Sequence, residues 1–222
     1  MDLLPAALLG AILGLDVVGF PQAMISRPLV AATVAGAFAG DPERGLIIGV
    51  VLEMIALGTL PFGASRYPEW GSASVVGGVL YAQGASAPVG QLALAVLAAL
   101  LTAWASGESM VLVRQWNARL AHGAQTALAA GDAAAIRRLQ LLGLTADAAR
   151  GAIVTFLALL LLTPAVAAIV PRWSGSPMTE RTVLIGLTAA LGAATIWMLV
   201  RGTSAARGLA VFGIALGVTW FL

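Results

Sequence analysis

The chain has no cysteine, no lysine and a single histidine, His122. Without cysteine there are no disulfides and no thiolate metal sites. One histidine, set in a polar stretch, makes no histidine-based metal site and reads as an ordinary solvated side chain. With neither a cysteine nor a usable histidine, phosphoryl-carrier chemistry on those residues has no acceptor. A GxxxxGK phosphate loop needs a lysine and is excluded with it. Charge is scarce as well. Charged residues make up 10% of the chain, against about 25% in an average soluble domain, so a soluble globular protein is ruled out. No nucleophile–base set stands out, which favours a conduit or binding subunit over an enzyme, and no metal or cofactor is expected.

What is present is apolar. Hydrophobic residues make up 60% of the sequence and the mean hydropathy is +0.96. The 222 residues leave room for about half a dozen membrane segments and little else. The net charge of +2 reflects membrane orientation, and no nucleic-acid partner is expected. The opening MDLLPAALLG carries Asp2 and no basic n-region, so no cleavable signal peptide is expected.

Spanning a bilayer as a helix takes about 20 apolar residues. Pro88–Ser106, Ala152–Val170 and Val183–Val200 meet that standard, and Leu209–Leu222 is shorter. The first third differs. Leu3–Leu15 ends at Asp16, Pro28–Gly40 ends at Asp41, and Gly45–Leu60 carries Glu53 at its middle. Such short runs, punctuated by Gly and Pro, predict broken or re-entrant helices, which survive at membrane depth only inside protein or beside a wet cavity. The expected fold is an all-α integral membrane protein, a multi-spanning helical bundle with short broken or re-entrant helices in its N-terminal third. Three regions follow: residues 1–106, membrane-embedded with broken helices and the polar site; residues 107–150, a polar helical hairpin broken at Gly131–Asp132; and residues 151–222, C-terminal membrane helices. The hairpin holds Arg114, Arg119, Arg137, Arg138 and Arg150 against Glu108, Asp132 and Asp147, so the positive-inside rule makes it cytoplasmic. Pro171–Thr182 then falls outside and Arg201–Arg207 inside, while Trp116 and Trp173 sit near predicted interfaces.

Two polar features stand out. Glu53 at mid-segment costs roughly 2.5–3.5 kcal/mol on insertion scales, so it needs a role. It could bind a polar solute, carry a proton or pair with Arg27. Asp16, Gln22, Ser26 and Arg27 cluster between two short hydrophobic runs, and Pro28 suits the first turn of the next helix. That helix would aim its positive end back at the cluster. These groups suit sugar hydroxyls; the alternative is a polar turn in the headgroups. Asp41–Pro42–Glu43 reads as an N-cap. Small residues recur at helical spacing, Ala32, Gly36 and Gly40 on one face of their segment and Gly45, Gly49 and Ala56, together with Glu53, on a face of the next, which suits close helix packing.

The run from Asp16 to Trp70 resembles the membrane subunit IIC of the mannose/fructose/sorbose family of the bacterial sugar phosphotransferase system. The resemblance rests on QAMISRP from Gln22 to Pro28, Gly40–Asp41, Gly45 to Gly49, LEMIALG from Leu52 to Gly58, Pro61 to Ala64 and Pro68–Glu69. It covers about Gly14 to Arg150, and the C-terminal helices only in hydropathy. It implies a non-enzymatic subunit of a phosphoenolpyruvate-dependent complex in the bacterial cytoplasmic (inner) membrane. A membrane partner, subunit IID, would share the sugar path, with a homo-oligomer inside the complex. Cytoplasmic IIA and IIB would relay phosphate to the sugar, with IIB docking on the hairpin, and a substrate-holding core would move against a scaffold. Carried onto this chain, Glu53, Gln22 and Ser26 would contact the hydroxyls of a hexose or amino sugar, with Asp16 a weaker contact. Arg27 would touch substrate or pair with an internal acid. The alternative function is an autonomous secondary transporter or channel with Glu53 as its ion or proton site.

Overall fold

The computed structural model describes residues 3–17, 19–59, 66–84, 88–172 and 176–200. The Pro61–Ala64 motif, Trp173, the Arg201–Arg207 loop and the Leu209–Leu222 segment lie outside these residues. The described elements are helical: α1 (Leu3–Asp16), α2 (Pro28–Ala39), α3 (Pro42–Ala56), α4 (Trp70–Ala82), α5 (Pro88–Gly123), α6 (Gln125–Ala129), α7 (Ala133–Ile169) and α8 (Pro177–Val200), with a short 3₁₀ turn at Val170–Arg172.

The first four helices are short. At 1.5 Å per residue, the 12 residues of α2 and 15 of α3 extend about 18 and 22 Å, less than a hydrocarbon core of about 30 Å. They form a tight hairpin. Gly40 ends α2 at φ +99°, a left-handed conformation that glycine adopts freely, and Asp41 caps α3 by accepting from Arg44 N at 3.0 Å. Pro42 occupies the first turn beyond that cap. The two helices nearly touch, since a Cβ on Gly36 would lie 2.6 Å from Gly45 Cα. Of the small residues legible in the sequence, Ala32 and Gly36 meet Gly45, while a Cβ on Gly40 at the end of α2 would meet nothing.

Among the described residues two helices are long and apolar enough to cross a membrane, within Gly90–Gly123 and Ala133–Arg172. Both run past the boundaries the sequence implies. Helix α5 continues unbroken from its apolar half into the polar hairpin, and α7 returns from the hairpin into an apolar half that includes Pro164. The hairpin turns at Gly131, φ +72°, and Asp132 caps α7 through Ala134 N at 2.8 Å. Helix α1 runs antiparallel to α7, with Gly10 against Thr155 and Gly14 near Gly151.

Helix α4, an element the hydropathy pattern does not announce, is the hub of the bundle. All 13 of its residues are buried, and α1, α2, α3, α5 and α7 pack around it. Two of its glycines admit neighbouring backbones; a Cβ at Gly71 would lie 2.4 Å from Leu13 O of α1, and one at Gly78 2.6 Å from Ala32 O of α2. Large apolar side chains on the outside of α1 (Leu4, Leu8, Ile12) and α7 (Ile153, Leu157, Leu161) are exposed. Such a surface belongs against lipid, and the fold is that of an all-α integral membrane protein.

Candidate functional site

The end of α1, the start of α2, the end of α3 and the start of α4 converge on one pocket of about 390 Å³. Asp16, Gln22, Ser26 and Arg27 line it from one stretch of chain, and Thr59 and Trp70 from another. That volume lies within the range of small-molecule sites, about 300–1,000 Å³.

The stretch from 19 to 27 is folded around Asp16. This carboxylate is 2% exposed, and its oxygens accept from Ala23 N at 2.7 Å, Ser26 N at 3.0 Å and Ser26 Oγ at 2.8 Å. Gln22 and Met24 both hold positive φ, 59° and 60°. A non-glycine residue in that region costs about 1–3 kcal/mol, and such strain persists where surrounding bonds over-determine it. Here the three bonds to Asp16 do so, and they leave Gln22 and Met24 exposed at the pocket.

Glu53 does not line the pocket. It pairs with Arg27, which does, and accepts from Leu29 N at 3.3 Å. A carboxylate from α3 thus sits at the N-terminal end of α2, where the helix dipole favours negative charge. Of the alternatives open for Glu53, the structure realises the pairing with Arg27. The pair is partly buried, with side-chain exposures of 29% for Arg27 and 20% for Glu53.

Sequence reasoning missed the other wall. Trp70 Nε1 donates to Thr59 Oγ1 at 3.1 Å, and both residues line the pocket. The available signal was the acid–aromatic pair Glu69–Trp70 directly before an uncharged run. It also missed a buried charge cluster next to the pocket wall. Glu69 is wholly buried and accepts from Gly71 N at 2.6 Å, Ser72 N at 3.2 Å and Ser106 Oγ at 2.7 Å. Arg150 donates to Asp147 at 2.6 Å and to Ser106 Oγ at 2.6 Å, and lies 3.8 Å from Glu69. Asp147 and Arg150, read above as loop charges, are interior residues that tie α7 to α4 and α5. Contacts that span 37, 44 and 81 positions in sequence leave no local pattern to betray them.

A larger cavity of about 560 Å³ opens between the polar halves of α5 and α7, where Arg114, Asn117, Gln140 and Asp147 line it, and touches the 19–27 stretch at Gly19. It is an open cleft in the hairpin. The smaller pocket is preferred as the site because it joins the strained loop at Gln22 and Met24 to an aromatic wall at Trp70. His122 is exposed, and among the described residues no group of three or more His, Cys, Asp or Glu comes together to hold a metal.

Comparisons with known proteins agree with this architecture. A family model described as the PTS system sorbose-specific IIC component matches residues 2–217. The PTS system mannose-specific EIIC component of Escherichia coli K12 is 35% identical over 128 residues, 57% of this chain and 46% of that protein. The PTS system sorbose-specific EIIC component of Lacticaseibacillus casei is 31% identical over 138 residues, 62% of this chain and 48% of that protein. The alignments thus span about half the length of the curated relatives. Among solved structures, a chain described as a membrane protein matches with a TM-score of 0.68 and 26% identity, covering 99% of this chain and 86% of its own. A chain from the cryo-EM structure of the mannose transporter ManYZ with a microcin matches with a TM-score of 0.61 and 25% identity, over the same shares. The family match extends past the stretch that carries the sequence resemblance and takes in the C-terminal helices. The chain belongs to the sorbose-type IIC family of the phosphotransferase system.

Proposed function

We propose that the chain forms part of a sugar path across the bacterial cytoplasmic membrane and holds a hexose or amino sugar in the pocket between Arg27 and Trp70. The observation that carries this reading is the convergence of four helix ends on a pocket whose loop is strained and held by a buried carboxylate. Each residue has a role set by its bonds. Arg27 spends one nitrogen on Glu53 and has further donors for sugar hydroxyls. Gln22 offers an amide that both donates and accepts, as each hydroxyl does. Ser26 Oγ donates to Asp16 and keeps lone pairs for a sugar hydroxyl. Asp16 acts through the loop, because both its oxygens are already engaged. Glu53 orients Arg27.

Coupling follows from position. Glu69 N donates to Ala103 O at 3.0 Å, so the start of α4 lies level with the point where α5 passes from its apolar to its polar half. The pocket therefore sits at the hairpin end of the bundle. With the hairpin cytoplasmic, a sugar in the pocket lies on the side where a IIB protein, charged by IIA, would phosphorylate it. A IID subunit would complete the path in the membrane, and a homo-oligomer within the complex fits the exposed apolar surface. The engagement of Glu53 by Arg27 and Leu29 N weighs against an autonomous transporter using it as a free ion site.

The test is uptake of D-mannose, D-fructose and L-sorbose by cells carrying the chain and its companion subunits. Uptake is expected to require phosphoenolpyruvate and to deliver sugar phosphate. Uptake of free sugar by this chain alone in proteoliposomes would overturn the reading.

A further inference from the structure

The roles above leave the Thr59–Trp70 wall unassigned. Trp70 is the first residue of α4, whose start is pinned by the wholly buried Glu69 and whose every residue is buried. The backbone that carries the indole therefore has no freedom to drift. The side chain is pinned too, since its one polar atom, Nε1, donates to Thr59 Oγ1 at 3.1 Å. With that donor spent and the residue 8% exposed, what the indole can present to the cavity is its apolar ring. The same pocket carries Gln22, Ser26 and Arg27. It is a site with a polar wall and an aromatic wall.

A ligand matching both must have hydroxyls at its edge and a flat apolar face. A pyranose ring does: its hydroxyls radiate outward, while C–H bonds on one face form a flat apolar patch. An open-chain hexitol carries the same hydroxyl chemistry without that face. We infer that Trp70 is the platform on which a hexopyranose stacks, and that Thr59 is the positioning residue that holds the indole in place. This rests on the sugar reading of the pocket and sharpens it, since it makes ring closure the property recognised.

The experiment uses the full chain, purified from membranes with whichever subunits accompany it. Titration calorimetry compares D-mannose, D-fructose and L-sorbose with the hexitols made from them by reduction. The wild-type protein is expected to bind at least one hexose about tenfold or more tightly than its hexitol, the size of a good aromatic contact. Trp70→Leu is expected to bring the two within about twofold by weakening the hexose alone. Trp70→Phe, which keeps an aromatic face, is expected to keep part of the preference, and it decides the matter if the leucine variant does not assemble. Thr59→Val is expected to reduce the preference and Thr59→Ser to restore it. A wild-type protein that binds none of these hexoses removes the sugar reading itself. One that binds a hexose while Trp70→Leu keeps the full preference overturns the stacking role alone.

Discussion

Asp16 Oδ2 accepts two hydrogen bonds from a single residue, Ser26, one from its backbone N–H at 3.0 Å and one from its hydroxyl at 2.8 Å. With Ala23 N on the other oxygen at 2.7 Å, this carboxylate sets the conformation of the loop without offering an oxygen to the pocket. Asp16→Asn substitutes an NH₂ group that cannot accept, so at least one of these bonds is lost. Bonds to a charged group contribute about 1.5–3 kcal/mol each. Sugar affinity is expected to fall about tenfold or more, and the 19–27 stretch to become open to limited proteolysis, while membrane insertion is unchanged. A loop as resistant to proteolysis as the wild type would refute this role.

The Arg27–Glu53 pair joins the start of α2 to the last turn of α3. Glu53→Gln is expected to abolish or strongly reduce sugar binding while leaving assembly intact, because Arg27 loses the partner that aims it. Arg27→Gln should do much the same. A double-mutant cycle on affinity is expected to return a coupling of about 1–3 kcal/mol. Additive effects would mean that the two residues act separately.

The Glu69–Arg150–Asp147 cluster makes a stability prediction with an internal control. Arg150→Met leaves two buried carboxylates without their cation, a loss of about 3–5 kcal/mol. The apparent Tm of the solubilised protein is expected to drop by about 10 °C. Arg66 pairs with Glu108 at 3.3 Å on the surface, its side chain 72% exposed. Arg66→Ala should therefore shift Tm by no more than a degree or two, since exposed pairs contribute about 0–1 kcal/mol.

Gly36 and Gly45 bring α2 and α3 into backbone contact. Gly36→Ala places a methyl group 2.6 Å from Gly45 Cα, a clash that only a shift of the hairpin can relieve. The expected cost is about 1–3 kcal/mol, read as lower yield and lower Tm. The same substitution at the exposed Gly123, where a Cβ would meet nothing, is expected to be silent.

The hairpin turn at Gly131 provides the topology test. A reporter fused there is expected to score as cytoplasmic, and one fused at Arg172 as external. The opposite pattern would place the pocket away from the phosphorylating proteins.

The short helices and their breaks were legible because Asp16, Pro28, Asp41 and Pro42 punctuate the apolar runs, and each acts locally on the backbone. The cluster of Asp16, Gln22, Ser26 and Arg27 was legible for a similar reason, as polar residues out of place in an apolar chain. Helix α4 was not. Its 13 residues fall short of the about 20 that mark a span, and no charge or proline within it punctuates the run as they do in the helices before it. Trp70 and Thr59 stayed hidden with it. Arg150 and its partners were illegible for another reason. Its contact with Ser106 spans 44 positions, and a charge in the sequence does not say whether it faces water or a distant acid.

Helix α4 has a consequence for how the protein is made. It is 13 residues long, about 20 Å, and presents no exposed residue along its length. Alone in a bilayer it would be too short to span and would face lipid with serines and glycines. Its neighbours α5 and α7 are synthesised after it, so ribosomal order delivers the hub before two of the walls that enclose it. A chain cut off before α5 is therefore expected to leave α4 without two of the walls that cover it, and open to proteases from which the full chain shields it.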